Sequence, residues 1–238
     1  MVCDGKSIEA RVGEVAAAVE AAARRAGRAP GEIVLMAAVK GRTAEEIEAA
    51  ARAGVSCFGE NRVQEGEGHA RALGPDFFRS RRFHFIGRLQ ANKARRALRL
   101  FHSLDSVDSE DLALRLSRIA AEENLQREVM LEVNLGEESQ KGGVAPEGAV
   151  ALARRVLSLP NLRLTGLLGV PPFDPDPEAS RPHFRRLRSL FEEIAGLSPQ
   201  REVFRWLSMG MSHDFEVAVE EGATLVRLGT ALFGPREA

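Results

Sequence analysis

The chain has 238 residues, of which 44% are hydrophobic, 28% charged and 5% aromatic, a balance that excludes a disordered, collagen-like or disulfide-scaffold protein. With 33 basic and 34 acidic residues the net charge is −1, so no global field draws the chain to nucleic acid or to an anionic membrane, and any anion must be held locally. Only four of the basic residues are lysines: Lys6, Lys40, Lys93 and Lys141.

From Ser7 to Arg25 apolar residues recur at helical spacing among Glu and Arg, and the Gly27 to Gly31 segment with Pro30 ends the pattern, so an amphipathic helix opens the chain. IVLMAAVK (33 to 40) is a continuous apolar run, the pattern of a strand covered on both faces, and it stops on a lysine. Thr43 with Glu46 forms a capping box that starts a helix closed by Gly54, and VSCF (55 to 58) is a second strand. The rhythm continues with strands at 83 to 86, 101 to 104, 128 to 135, 162 to 169, 204 to 208 and 224 to 229. Helices are expected between them at 90 to 100, 108 to 124, 146 to 157, 177 to 195 and 214 to 220. About eight strand and helix units with short connections in this length favour a single closed (β/α)8 TIM barrel over an open doubly wound sheet, as one domain over 1 to 238 with an extra N-terminal helix. VPPFDPDP (170 to 177) reads as a rim loop rather than a domain boundary.

Two cysteines, Cys3 and Cys57, give neither a disulfide framework nor a metal spacing, which suits a reducing, cytoplasmic compartment, with Cys57 expected in the core. The apolar run from Ile33 to Val39 is far too short to span a bilayer, and Asp4 and Glu9 interrupt any leader-like segment at the start. The histidines His69, His84, His102, His183 and His213 show no metal-ligand pattern.

In a (β/α)8 barrel, chemistry sits at the C-terminal ends of the strands. Lys40 closes the first strand, where a desolvated amine serves as a Schiff-base nucleophile. Read alone, it is also a lysine snorkelling out of a strand end. SMGMS (208 to 212) and LGT (228 to 230), each after a late strand, offer hydroxyls, small residues and backbone N–H groups suited to a phosphate. An amine facing a phosphate cradle across one rim implies a phosphorylated aldehyde, for which pyridoxal 5'-phosphate is the obvious candidate.

Lys40 after its apolar run, FGENRVQE (58 to 65), FHFIGRLQANK (83 to 93), LSMGMSHD (207 to 214) and VRLGTALFG (226 to 234) together resemble the signature blocks of the YggS/PROSC family of pyridoxal phosphate homeostasis proteins. The resemblance runs from about residue 33 onward. It implies a barrel like the N-terminal domain of alanine racemase, of the fold type III class, with pyridoxal phosphate held as an aldimine on Lys40. It further implies phosphate contacts from Ser208, the backbone around Met209 and Gly210, Gly229 and Thr230. Asn61 is implied beside the cofactor, Arg227 near the pyridine ring or phosphate, and His84 with Ile86 in the same cavity. Val39 and Gly41 depart from the Ser or Thr and the Thr usual on either side of the family's lysine, and Arg62 replaces a usual Tyr. Lys141, in EESQKGG, matches a lysine of a secondary pyridoxal phosphate site, against the plainer reading of a solvated loop charge.

The resemblance implies a carrier that buffers pyridoxal phosphate and delivers it to apo-enzymes without substantial catalysis of its own. The competing reading is an amino-acid racemase, which needs a second acid/base on the opposite face of the cofactor; the relative supplies a tyrosine there, and this chain has none. The β-rich second domain of the racemases is also not expected, and with it goes their dimer interface, so a monomer is the expectation. Arginines cluster at 79 to 82, 95 to 99 and 181 to 188, but without interleaved aromatics, so they read as solvated helix faces rather than a nucleic-acid surface. Lys93 reads as a helix-surface or rim charge.

Overall fold

The computed structural model describes residues 6–136, 142–199 and 201–235. Eight strands, β1 (Val34–Ala38), β2 (Cys57–Glu60), β3 (Arg82–Phe85), β4 (Ser103–Val107), β5 (Arg127–Asn134), β6 (Leu162–Val170), β7 (Trp206–Ser208) and β8 (Leu225–Leu228), close into a parallel barrel in sequence order. The helices are α1 (Ile8–Arg25), α2 (Ala44–Arg52), α3 (Val63–Leu73), α4 (Pro75–Arg79), α5 (Ala94–Leu100), α6 (Glu110–Glu122), α7 (Pro146–Leu157), α8 (Arg181–Ala195), α9 (Phe215–Glu220) and α10 (Thr230–Phe233). The expected (β/α)8 architecture and N-terminal helix are both present.

Most strands carry alternating faces. Phe58, Phe83, Phe85, Leu104, Val226 and Leu228 point outward into the main core beneath the helices. Met36, Cys57, Met130 and Leu225 form a separate apolar plug inside the barrel, which places Cys57 in the core as expected. Buried polar side chains, His84, Ser103, Asp105, Ser208 and Arg227, share the interior with that plug.

The eighth unit closes differently from the others. Its own helix, α10, has only four residues, and α1 packs against α9, α10 and α2 with Val12, Val15, Val19, Ala22 and Ala23 buried, so the first helix of the chain covers the seam between β8 and β1. Two helices, α3 and α4, occupy the stretch between the second and third strands where the sequence pattern suggested no element. Gly66 and Gly68 weaken the helical signal of α3, yet a Cβ on Gly66 would stand 2.6 Å from Cζ of the buried Phe101 ring, so close packing requires the glycine. The helix expected from residue 90 starts as a single 3₁₀ turn at Ala91–Lys93 before α5.

Candidate functional site

Lys40 follows β1 in a turn and is half-buried. The turn is held from several sides: Val39 N–H donates to the Gly59 carbonyl at 3.0 Å, Gly41 N–H to Glu65 Oε2 at 3.1 Å, and Thr43 and Glu46 cap α2 reciprocally. Gly41 takes φ +67°, a left-handed conformation that favours glycine, while Val39 is fully buried beside the strand pairing. Arg62 is exposed and paired with Glu65 at 3.1 Å. Lys40, Asn61, Arg62, Arg88 and Lys93 share a cleft of about 440 Å³ at the C-terminal end of the strands, which unites the first-strand lysine with the asparagine of FGENRVQE and makes Lys93 a rim charge. Gly87 closes one wall, because a Cβ there would stand 2.1 Å from the Asn61 carbonyl oxygen.

The residues expected to hold a phosphate lie on and just after the last two strands. Arg227 is buried, with Nη1 donating to Ser208 Oγ at 2.7 Å and Nη2 to the Gly169 carbonyl at 3.0 Å. Burial pushes its guanidinium down to about 10, against the opposing fields of Asp105, Glu132 and Asp214, so it remains a cation at neutral pH. Ser208 accepts from Arg227 and retains its own hydroxyl proton for donation. Gly210 takes φ +91°, and a Cβ on it would meet Ala218 Cβ at 2.5 Å and Phe215 Cα at 3.0 Å, so the loop can approach α9 this closely only with glycine. Ser212 Oγ accepts from both Gly229 N–H, at 3.3 Å, and Ala231 N–H, at 3.1 Å, which gathers the two loops into one group of polar atoms. Thr230 is exposed and opens α10. Gly229 adjoins the end of β1: a Cβ on it would stand 3.8 Å from the carbonyl oxygen of Ala38, two residues before Lys40.

Two candidates are engaged elsewhere. Met209 gives its N–H to the Leu225 carbonyl at 3.1 Å and its side chain to the outer core, so its backbone donor is committed to the barrel. His84 is buried inside the barrel rather than on the cleft wall: Nδ1 contacts Asp105 Oδ2 at 2.7 Å, and Ser103 Oγ donates to Asp105 Oδ1 at 2.5 Å. Burial opposes a charge on His84, but the Asp105 carboxylate and the Cys57 sulfur outweigh it and push the imidazole up to about 10. Lys141 lies outside the described residues.

Residues not singled out from the sequence complete the site. Arg88 lines the cleft, two positions beyond Ile86 in the HFIGRLQ block, and Asp105 lies two residues after Ser103 on the inward face of β4. Glu132 is half-buried on β5; desolvation and Asp108 raise its carboxyl, while Arg227 and Arg88 pull it down. A larger cavity, about 520 Å³, opens at the opposite end, where Arg82, Arg127 and Arg163 begin their strands beside Phe78 and Phe101; it contains none of the candidate residues, and in this fold that end serves stability. No group of metal-binding side chains occurs among the described residues, and no helix there is long and apolar enough to cross a membrane.

The lysine follows β1, and the gathered loops follow β7 and β8, at the C-terminal ends of the strands. Residues 13–237 match the family model described as alanine racemase, N-terminal domain, and a pyridoxal phosphate homeostasis protein of Aquifex aeolicus is 42% identical over 230 residues, 95% of this chain and 97% of that protein. The chain belongs to the YggS/PipY family of pyridoxal phosphate homeostasis proteins. Within this family, the solved structure of Synechococcus elongatus PipY with PLP bound superposes with a TM-score of 0.77 at 34% identity, covering 91% of this chain and all of that one. Alanine racemase of Corynebacterium glutamicum shares the fold alone, at a TM-score of 0.67 and 17% identity over 95% of this chain and 62% of that one.

Proposed function

We propose that this homeostasis-family chain binds pyridoxal 5'-phosphate through a Schiff base with Lys40 and acts as a carrier that buffers the cofactor and delivers it to apo-enzymes. The observation that carries the proposal is a half-buried amine after β1, beside strand β8 that carries the buried Arg227 cation and the Gly229 turn, with Ser212 joining that turn to the loop after β7. The residues fit the group. Lys40 and Asn61 line a cleft of about 440 Å³, the Ser208 hydroxyl on β7 suits a phosphate, and Gly229 leaves space beside β1 that a side chain would restrict. The relative PipY holds PLP on the same fold.

Bound there, the cofactor supplies a reactive aldehyde that Lys40 masks. Asn61 lines the lysine's side of the cleft, and Ser208, Gly229 and Thr230 are assigned to the phosphate. Arg227 keeps a positive charge in place without a mobile proton near neutral pH. A fixed cation beside the ring disfavours protonation of the pyridine nitrogen, which weakens the electron sink that carbanion chemistry needs. The chain has no tyrosine to act as the second racemase base. These features favour holding over transformation.

The decisive assay mixes the loaded protein with an apo-form of a pyridoxal phosphate enzyme while a scavenger removes free cofactor, and runs an alanine enantiomer with the loaded protein in parallel. Reactivation of the apo-enzyme with no sustained racemisation is expected. Continuous interconversion of the enantiomers would overturn the carrier reading.

A further inference from the structure

The turn that carries Lys40 is held from outside the barrel by a half-buried histidine paired with a buried carboxyl. Glu60 ends β2 with no solvent exposure, and its Oε1 lies 2.5 Å from Nδ1 of His69 on α3. His69 Nε2 donates to the carbonyl of Arg42 at 2.8 Å, two residues after Lys40. One residue nearer, Gly41 N–H donates to Glu65 Oε2, also on α3. The Lys40 turn is thus tied to α3 at two successive residues.

We propose that His69 is a positioning residue for Lys40: by bridging the Glu60 carboxyl and the Arg42 carbonyl, it fixes the backbone from which the lysine reaches the cofactor. This rests on the reading of Lys40 as the cofactor lysine. The protonation of the bridge follows from its geometry. A carbonyl can only accept, so Nε2 carries a hydrogen, and a contact of 2.5 Å between Nδ1 and a carboxyl oxygen requires a second proton between them. Whether that proton sits on nitrogen or oxygen, the pair holds it as a unit. Burial raises the Glu60 carboxyl, and the hydrogen bond to Glu60 raises the His69 imidazole, so both directions favour retention. Glu60 Oε2 is buried without a hydrogen-bond partner, which adds to the cost of leaving a full charge on the carboxyl.

The surrounding charges leave the bridge intact at neutral pH. Glu65 acts on both partners and also holds Gly41 and Arg62. On the neighbouring α2, Glu46 is engaged by Arg42 and Thr43; on α5, Arg96 is engaged by Glu67; on α4, Arg79 is engaged by Asp76. Loss of the shared proton at alkaline pH leaves a carboxylate facing an imidazole lone pair, a repulsion that opens the bridge and loosens the turn.

The test measures amide hydrogen exchange across residues 40 to 43 in the full, cofactor-free chain, and the rate of pyridoxal phosphate release from the loaded chain between about pH 6 and 10, a window that extends above the ordinary imidazole value. The natural protein is compared with His69→Ala, His69→Gln and Glu60→Gln. In His69→Ala, exchange in the turn and cofactor release are expected to rise about tenfold, in line with losses on removing groups that orient a ligating side chain, and the alkaline rise in release is expected to flatten. His69→Gln, whose amide can still donate to the Arg42 carbonyl, is expected to restore much of the protection without restoring the pH dependence, and Glu60→Gln is expected to flatten the profile alone. Unchanged turn exchange in a folded His69→Ala chain would overturn the proposal, as would faster release with the natural pH profile, the mark of general loosening. If the natural protein forms no Lys40 adduct at all, the cofactor reading fails, while the exchange data still decide whether His69 positions the turn.

Discussion

Two buried charges, His84 and Arg227, set the character of the barrel interior. Removing a charge from water costs several kcal/mol, so each is kept only where partners surround it. Arg227 has Ser208, the Gly169 carbonyl and the fields of three acids; His84 has Asp105, itself bonded to Ser103. The His84 pair makes a pH-dependent contribution of definite sign. Its folded-state value, about 10, lies above the ordinary imidazole value of about 6.5, so its stabilisation is complete below the lower value and is lost as pH rises through the upper one. Thermal unfolding of the natural protein is therefore predicted to show a midpoint that declines between those two values. His84→Leu removes the hydrogen-bonded cation beside the buried Asp105, so it is expected to cost about 3–5 kcal/mol near neutral pH and to abolish this part of the decline. A midpoint curve of unchanged shape in the variant would show that the pair holds no proton of consequence.

At the scale of elements, the contrast between Lys40 and α3 shows what a linear pattern carries. Lys40 and Ser208 are legible because a (β/α)8 rhythm assigns strand ends to the active face, Arg227 enters through the family resemblance, and the capping box of α2 and the run of β1 are local signals. The pairs His84 with Asp105 and Glu60 with His69 were not, because they join residues of different elements whose meeting depends on barrel register and on the placement of α3. The helix itself was hidden by Gly66 and Gly68, which are unfavourable to helix formation. Alanine at Gly66 would gain about 1 kcal/mol of helix propensity, but its Cβ would stand 2.6 Å from Cζ of Phe101, a ring that is 1% exposed and has no room to retreat. Overpacking of this kind costs about 1–3 kcal/mol, so Gly66→Ala is predicted to be net destabilising and to move α3 away from α5, lowering the denaturation midpoint. A raised midpoint would mean that propensity outweighs packing here.

Over the whole molecule, the arginine clusters serve the helical shell. Arg95 and Arg99 both reach Glu123, Arg96 reaches Glu67, and Arg181 joins Glu178, Glu220 and Glu221, so much of the basic charge is neutralised within the protein surface. Exposed pairs of this kind contribute about 0–1 kcal/mol each, and the fold rests instead on the two apolar clusters and on α1 covering the last seam. The central claim is that Lys40 is the residue through which the chain holds pyridoxal phosphate, and it is tested most directly by the visible absorption spectrum of the purified protein with the cofactor, repeated with Lys40→Ala and followed by borohydride reduction and peptide mapping. The account predicts an adduct band that disappears in the variant and a reduced cofactor located on Lys40. A band that survives in Lys40→Ala, a reduced cofactor on another lysine, or no adduct at saturating cofactor would contradict it.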